Sequence, residues 1–164
     1  MIKKKIVMLG SFAVGKTSLV QRYVNSIFSD KYQTTIGVKI DQKAVHVDDQ
    51  EVNLLLWDIH GEDDYQKIKP AYIMGTSGSF IVLDGTRKAS LEVGMELIET
   101  VKKVAPKSII IILINKSDLK DEWEITSSEI NNLTSEGYEV IETSAKANQD
   151  VDLAFQKLAM LMLK

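Results

Sequence analysis

The segment Gly10-Ser11-Phe12-Ala13-Val14-Gly15-Lys16-Thr17 constrains this chain more than any other. It fits the pattern G-x-x-x-x-G-K-[ST]. An apolar stretch, 2–9, precedes it, and Leu19, Val20, Tyr23, Val24 and Ile27 follow at helical spacing. A loop of this kind, passing from strand to helix, suits phosphate. Its glycines let backbone N–H groups turn inward around phosphate oxygens, and the helix N-terminus adds a partial positive charge. Lys16 is then placed to neutralise β- and γ-phosphates, and the Thr17 hydroxyl to ligate Mg²⁺. A chance glycine-rich turn is the plainer reading; the flanking strand and helix argue against it.

Composition bounds the rest. The 164 residues are expected to form one domain, 1–164. Hydrophobic residues make up 45%, enough to bury a core without staples. Cysteine is absent, which excludes disulfides, thiolate zinc sites, Fe–S clusters and a cysteine nucleophile. Prenyl and palmitoyl anchors also need cysteine, so no lipid anchor is expected in this chain. A net charge of −3 lacks the basic excess of a nucleic-acid binder. The longest apolar run, 109–114, falls far short of the roughly 20 residues that span a bilayer. Lys3, Lys4 and Lys5 imitate a signal n-region, but the apolar stretch after them is short and ends at Gly10. A cytoplasmic protein is expected.

Alternating strand and helix patterns predict an α/β fold. Strands are expected over 2–9, 38–47, 52–58, 79–84, 108–115 and 138–142. The second and third flank Asp48-Asp49-Gln50 and read as an antiparallel hairpin. The apolar runs at 79–84 and 108–115 suit parallel strands covered on both faces. Leu91, Met95, Ile98, Val101 and Ala105 mark a helix with Ser90 as its N-cap. Thr126 and Glu129 have capping-box spacing, and Gly137 can end that helix. Val151, Phe155, Leu158 and Met162 line one face of a last helix, with Asp150 and Asp152 at its N-terminus.

A phosphate loop alone does not choose a base. Asn115-Lys116-Ser117-Asp118 follows the most hydrophobic strand, where open α/β sheets bind ligands. Asp118 is placed to accept from guanine N1–H and the exocyclic amine. Adenine offers no such donor pair, and the carboxylate would be left unpaired. An ordinary polar loop is the alternative for so short a motif. Its position after the phosphate loop favours base recognition.

With these motifs in order, the chain resembles a Ras-superfamily small GTPase, and most closely the Rab branch. The resemblance rests on the glycine-rich loop, Thr35 with Ile36-Gly37-Val38, Trp57-Asp58 with Gly61, Asn115 to Asp118, and Glu142-Thr143-Ser144-Ala145-Lys146. It implies a P-loop NTPase G domain: six strands, mostly parallel with an antiparallel edge hairpin, and five flanking helices. It implies a switch that binds GTP and GDP with Mg²⁺ and hydrolyses GTP slowly. The nucleotide set carried over is Ser11, Phe12, Ala13, Val14, Gly15, Lys16, Thr17, Ser18, Phe28, Tyr32, Thr35, Gly61, Asn115, Lys116, Asp118, Ser144, Ala145 and Lys146. Thr17, Thr35 and Asp58 are the metal set, Asp58 through water. Lys16, Thr35, Gly61 and Glu62 are the catalytic set. Thr34 precedes Thr35, but Ile36-Gly37 favours Thr35. Phe28 would pack against the base, Tyr32 cover the phosphates, the Gly61 N–H meet the γ-phosphate and the Ala145 N–H meet guanine O6. Lys116 and Lys146 would lay their stems along the nucleotide. Protein effectors and exchange or activating factors are expected on residues 32–40 and 57–75, and no nucleic acid.

The departures cluster near the γ-phosphate. Glu62 stands where the family usually has glutamine; a carboxylate accepts from water but donates nothing to it. His60 replaces alanine and would contact phosphate or water, or simply face solvent. Phe12 replaces a small residue where a partner's arginine would approach. Arg22 and Arg87 are the only arginines, and neither stands at a motif position for a built-in arginine finger; Lys31 reads as a solvated charge. A GTP-binding interaction module with negligible hydrolysis therefore stays open as the alternative; an ATPase or kinase is disfavoured by Asp118. The resemblance implies a prenylated cysteine tail beyond Lys164, and either an unanchored protein or a removed tail is expected.

Overall fold

The computed structural model describes residues 2–29, 37–59 and 68–164. Six strands form one sheet: β1 (Ile2–Leu9), β2 (Val38–Val47), β3 (Gln50–Ile59), β4 (Gly78–Asp84), β5 (Ile109–Asn115) and β6 (Glu139–Glu142). Their order is β2-β3-β1-β4-β5-β6. β2 runs antiparallel to β3, and the other pairs are parallel. Five helices accompany it among the described residues: α1 (Lys16–Asn25), α2 (Pro70–Ile73), α3 (Lys88–Val104), α4 (Ser127–Ser135) and α5 (Val151–Met162). A 3₁₀ turn spans Ser117–Glu122. This is the expected α/β class.

The buried stretches of the central strands, 6–9 in β1, 80–83 in β4 and 111–114 in β5, are apolar on both sides because both faces are covered there. In β1, Ile6 and Met8 join Leu19, Tyr23 and Phe155 in the core beneath α1 and α5. Val7 and Leu9 point the other way and join Leu97, Ile98 and Leu133 beneath α3 and α4. β4 splits likewise, Phe80 and Val82 against Ile81 and Leu83. A strand's period of two makes this division automatic. It also brings the carboxyl ends of β1, β4 and β5 together, with Asp84 beside Asn115 in the ladder. β1 lies between β3 and β4, so the chain leaves it in a crevice where the connections diverge.

Several local expectations shift. The hairpin turn narrows to Asp48-Asp49, because Gln50 already pairs with Val47. Asp48 takes the left-handed conformation (φ 54°) that tight hairpins require. Ile27 lies beyond α1 and is exposed. Ser90 is not an N-cap; it sits inside α3, and its buried hydroxyl donates to the Asp84 carbonyl while accepting from the Asp84 N–H. The buried stripe of α3 is accordingly Ser90, Gly94, Leu97, Ile98 and Val101; of the expected stripe Ile98, Val101 and Ala105 are buried, while Leu91 and Met95 are only partly so. Small residues let α3 approach closely: a Cβ on Gly94 would lie 2.4 Å from Leu83 Cδ2. The Thr126–Glu129 capping box forms as expected. Among the described residues, no helix is long and apolar enough to cross a membrane.

Candidate functional site

The glycine-rich loop joins β1 to α1 through two left-handed residues, Ala13 (φ 63°) and Gly15 (φ 103°). Gly15 is the N-cap of α1 and makes no side-chain cap; the N-terminus of a helix carries the partial positive charge that suits an anion. The position also demands glycine sterically, because a Cβ would lie 2.3 Å from Asn115 Nδ2. Lys16 is buried and donates from Nζ to the Gly10 carbonyl at 3.1 Å and the Ser11 carbonyl at 3.2 Å. Burial lowers its ammonium pKa to about 8; Asp58 opposes that shift and Arg87 adds to it. The Ser11 hydroxyl is buried without a hydrogen-bond partner among the described residues. Val14 is buried, Ser18 half-buried and Phe12 exposed.

Thr17 and Asp58, expected to share a metal, meet across the crevice. Thr17 Oγ1 donates to Asp58 Oδ2 at 2.6 Å, and Asp58 is buried at the end of β3. A hydroxyl and a carboxylate side by side are hard oxygen donors of the kind Mg²⁺ selects.

Asn115, at the end of β5, braces two segments. Its Nδ2 donates to the Val14 carbonyl at 3.1 Å, and its Oδ1 accepts from the Thr143 hydroxyl and the Ala145 N–H, each at 3.2 Å. Lys116 is held left-handed (φ 72°). Its Nζ lies 2.8 Å from Asp84 Oδ2 and donates to the Ala13 carbonyl at 3.2 Å. Asp118 Oδ1 accepts from the buried Ser144 hydroxyl at 2.7 Å, so a side chain from beyond β6 orients the carboxylate. Phe28 is half-buried against the α1 and α5 core, with the Arg22 guanidinium 6.0 Å from its ring centroid.

Four supporting residues had no assigned role in the motif reading. Arg22 on α1 donates from Nε to the Ala145 carbonyl at 2.8 Å and from Nη2 to the Lys146 carbonyl at 2.9 Å. The Trp123 indole N–H donates to the Lys116 carbonyl at 2.9 Å. Asp84 is buried, yet its carboxyl sits below the ordinary range. Burial pushes it up, and hydrogen bonds from Lys116 and Thr86 outweigh that. Arg87 donates from Nε to Asp84 at 3.1 Å and from Nη2 to the Phe12 carbonyl at 2.5 Å. Arg22 and Arg87 reach their carbonyl acceptors across large sequence separations, so only their rarity could have flagged them, whereas Asp84 and Trp123 stand close to motif residues in the fold.

The fold thus gathers the loop 10–17, Asp58, Asn115 to Asp118 and Ser144 to Lys146 at one end of the sheet. Tyr32, Thr34, Thr35, Ile36, His60, Gly61, Glu62 and Lys31 lie outside the described residues. Against known families, the Ras family model matches residues 5–164 of the chain.

Proposed function

The chain belongs to the Ras family, and from that premise we propose a guanine-nucleotide switch that binds GTP and GDP with Mg²⁺ and hydrolyses GTP slowly. The observation that carries this reading is the bracing of the phosphate loop by the base motif. Asn115 and Lys116 each donate to a loop carbonyl, while Ser144 aims Asp118. One rigid unit would then read a purine at Asp118 and cradle its phosphates on the N–H groups of 13–18. Lys16 would exchange the Gly10 and Ser11 carbonyls for phosphate oxygens, an exchange that favours its charged form. The Ala145 N–H, held here by Asn115, would serve guanine O6. Phe28, and Tyr32 beyond the described residues, would flank the nucleotide.

Thr17 and Asp58 would hold Mg²⁺, with Thr35 added for the triphosphate; the bound ion supplies neutralisation of the phosphate oxygens. The catalytic assignment of Lys16, Thr35, Gly61 and Glu62 is part of the same proposal, as are a single G domain over 1–164 and a cytoplasmic location. Effectors and regulators would meet residues 32–40 and 57–75. Within those ranges Ile40 is exposed opposite the half-buried Trp57. The Lys5 ammonium lies 3.8 Å from the Trp57 ring centroid. This apolar pair on an edge hairpin supports the Rab-like reading.

Competition binding tests the assignment. GTP and GDP should bind far more tightly than ATP, and Asp118→Asn should lose guanine and gain xanthine nucleotides, since xanthine offers a carbonyl in place of the amine. Equal affinity for ATP and GTP would overturn it. Glu62 in place of glutamine keeps a second reading in play, a GTP-dependent interaction module with negligible hydrolysis. Phosphate release from bound GTP in a single turnover separates the two.

A further inference from the structure

Three successive carbonyls of the phosphate loop are each held from outside. Phe12 O accepts from Arg87 Nη2, Ala13 O from Lys116 Nζ, and Val14 O from Asn115 Nδ2. No peptide bond among the described residues is cis. In a trans peptide the carbonyl and the next N–H point in opposite directions. Holding these carbonyls outward therefore turns the N–H groups of Ala13, Val14 and Gly15 toward the inner side of the loop. Two of the three donors belong to the base motif. The third, Arg87, belongs to no motif and stands just before α3.

Arg87 is placed for this task by Asp84. That carboxylate is buried, and its Oδ2 accepts from Arg87 Nε and pairs with Lys116 Nζ. Its Oδ1 is taken by the N–H and hydroxyl of Thr86. One carboxylate thus anchors two cations, and those cations grip adjacent loop carbonyls. The guanidinium suits the geometry, since its fixed fork lets Nε and Nη2 serve two acceptors at once. A charged donor also strengthens its hydrogen bond and polarises the peptide it touches. The peptide it touches leads into Ala13, a non-glycine residue at positive φ that needs such support.

We propose that Arg87 is a positioning residue for the phosphate cradle. Anchored on Asp84, it holds the Phe12 carbonyl outward and thereby fixes and polarises the Ala13 N–H toward the β- and γ-phosphates. The inference rests on the guanine-nucleotide reading. Arg87 touches no phosphate in this scheme; its positive charge reaches the nucleotide through one peptide unit.

The test uses the full chain loaded with GDP. Arg87→Ala should release GDP about tenfold faster, as loss of a charge-assisted hydrogen bond implies. The Ala13 amide proton should shift upfield, and the ³¹P resonance of the β-phosphate should move. Inosine diphosphate, which lacks the exocyclic amine, should lose affinity by the same factor as GDP, because the Asp118 contact is untouched. A site loosened as a whole would change that ratio. Arg87→Lys keeps the charge without the fork and should recover part of the release rate; it also carries the test if the alanine variant fails to fold. An unchanged release rate and Ala13 shift in both variants would overturn the role of Arg87 alone. A parent chain that fails to bind GDP would overturn the guanine-nucleotide reading and this inference with it.

Discussion

At the scale of single residues, the candidate base site depends on one hydroxyl. Ser144 is buried; its Oγ donates to Asp118 and accepts from the Ala147 N–H at 2.9 Å. Asp118 itself is exposed, and no other side chain among the described residues is seen to orient it. Ser144→Ala should therefore leave the carboxylate free to rotate and weaken GDP by about tenfold, the scale of a hydrogen bond to a charged group. ATP affinity should stay where it was, so the guanine preference narrows. Equilibrium titration with both nucleotides checks this, and an unchanged preference would mean that Asp118 needs no help from Ser144.

At the scale of elements, the helices meet the sheet and one another through a few close contacts. α1 and α5 are joined by the Tyr23 and Phe155 rings, stacked with centroids 3.9 Å apart, while Lys43 Nζ lies 3.9 Å over the Tyr23 ring. Burial, with help from Asp152, pushes the Tyr23 hydroxyl up to about 12 from an ordinary 10.0. The folded chain then keeps a proton that the unfolded chain loses. Stability from this group is full below pH 10 and falls away as pH rises toward about 12, by on the order of 2 kcal/mol. Alkaline unfolding of the parent and of Tyr23→Phe should diverge in that window, with the phenylalanine variant showing the smaller slope. On the opposite face, Gly94 lets α3 sit against Leu83. Gly94→Val should cost about 1–3 kcal/mol by overpacking, outweighing any helix-propensity gain. Denaturant titration should show a lower midpoint with an unchanged slope.

At the scale of the whole molecule, the candidate site is made of loops from across the sheet, so folding and binding are linked. Asn115 and Lys116 tie the β5 end to the 10–17 loop, and Arg22 ties α1 to the segment after β6. A ligand that binds only the folded chain stabilises all of it. GDP at about a thousand times its dissociation constant should add about 4 kcal/mol, visible as a raised melting temperature. ATP at the same concentration should add little. Chelating Mg²⁺ should remove part of the GDP effect through Thr17 and Asp58, and Thr17→Ala should make the melting temperature insensitive to the chelator. A melting curve indifferent to guanine nucleotides would argue against the proposed ligand.

Much of the fold and the core of the site were legible because their signals are local. Apolar runs at 79–84 and 108–115 suit strands covered on both faces, and they correspond to β4 and β5. The 10–17 loop and Asn115 to Asp118 are contiguous, so their spacing alone marks them as candidates for a phosphate cradle and a base-reading carboxylate. What spacing cannot encode is which distant side chain completes them. Arg22 bonds Ala145 across 123 positions, and Arg87 bonds Phe12 across 75. The buried face of α3 was likewise decided by where β4 lies, which turned Ser90 and Gly94 inward and Leu91 and Met95 partly out. Periodicity locates a helix to within its length but not its rotation, because small residues carry no hydrophobic signal. A charged donor on the surface looks the same in sequence whether it meets solvent or a loop carbonyl. Only the tertiary structure decides that, by bringing the ends of β1, β4 and β5 into one crevice.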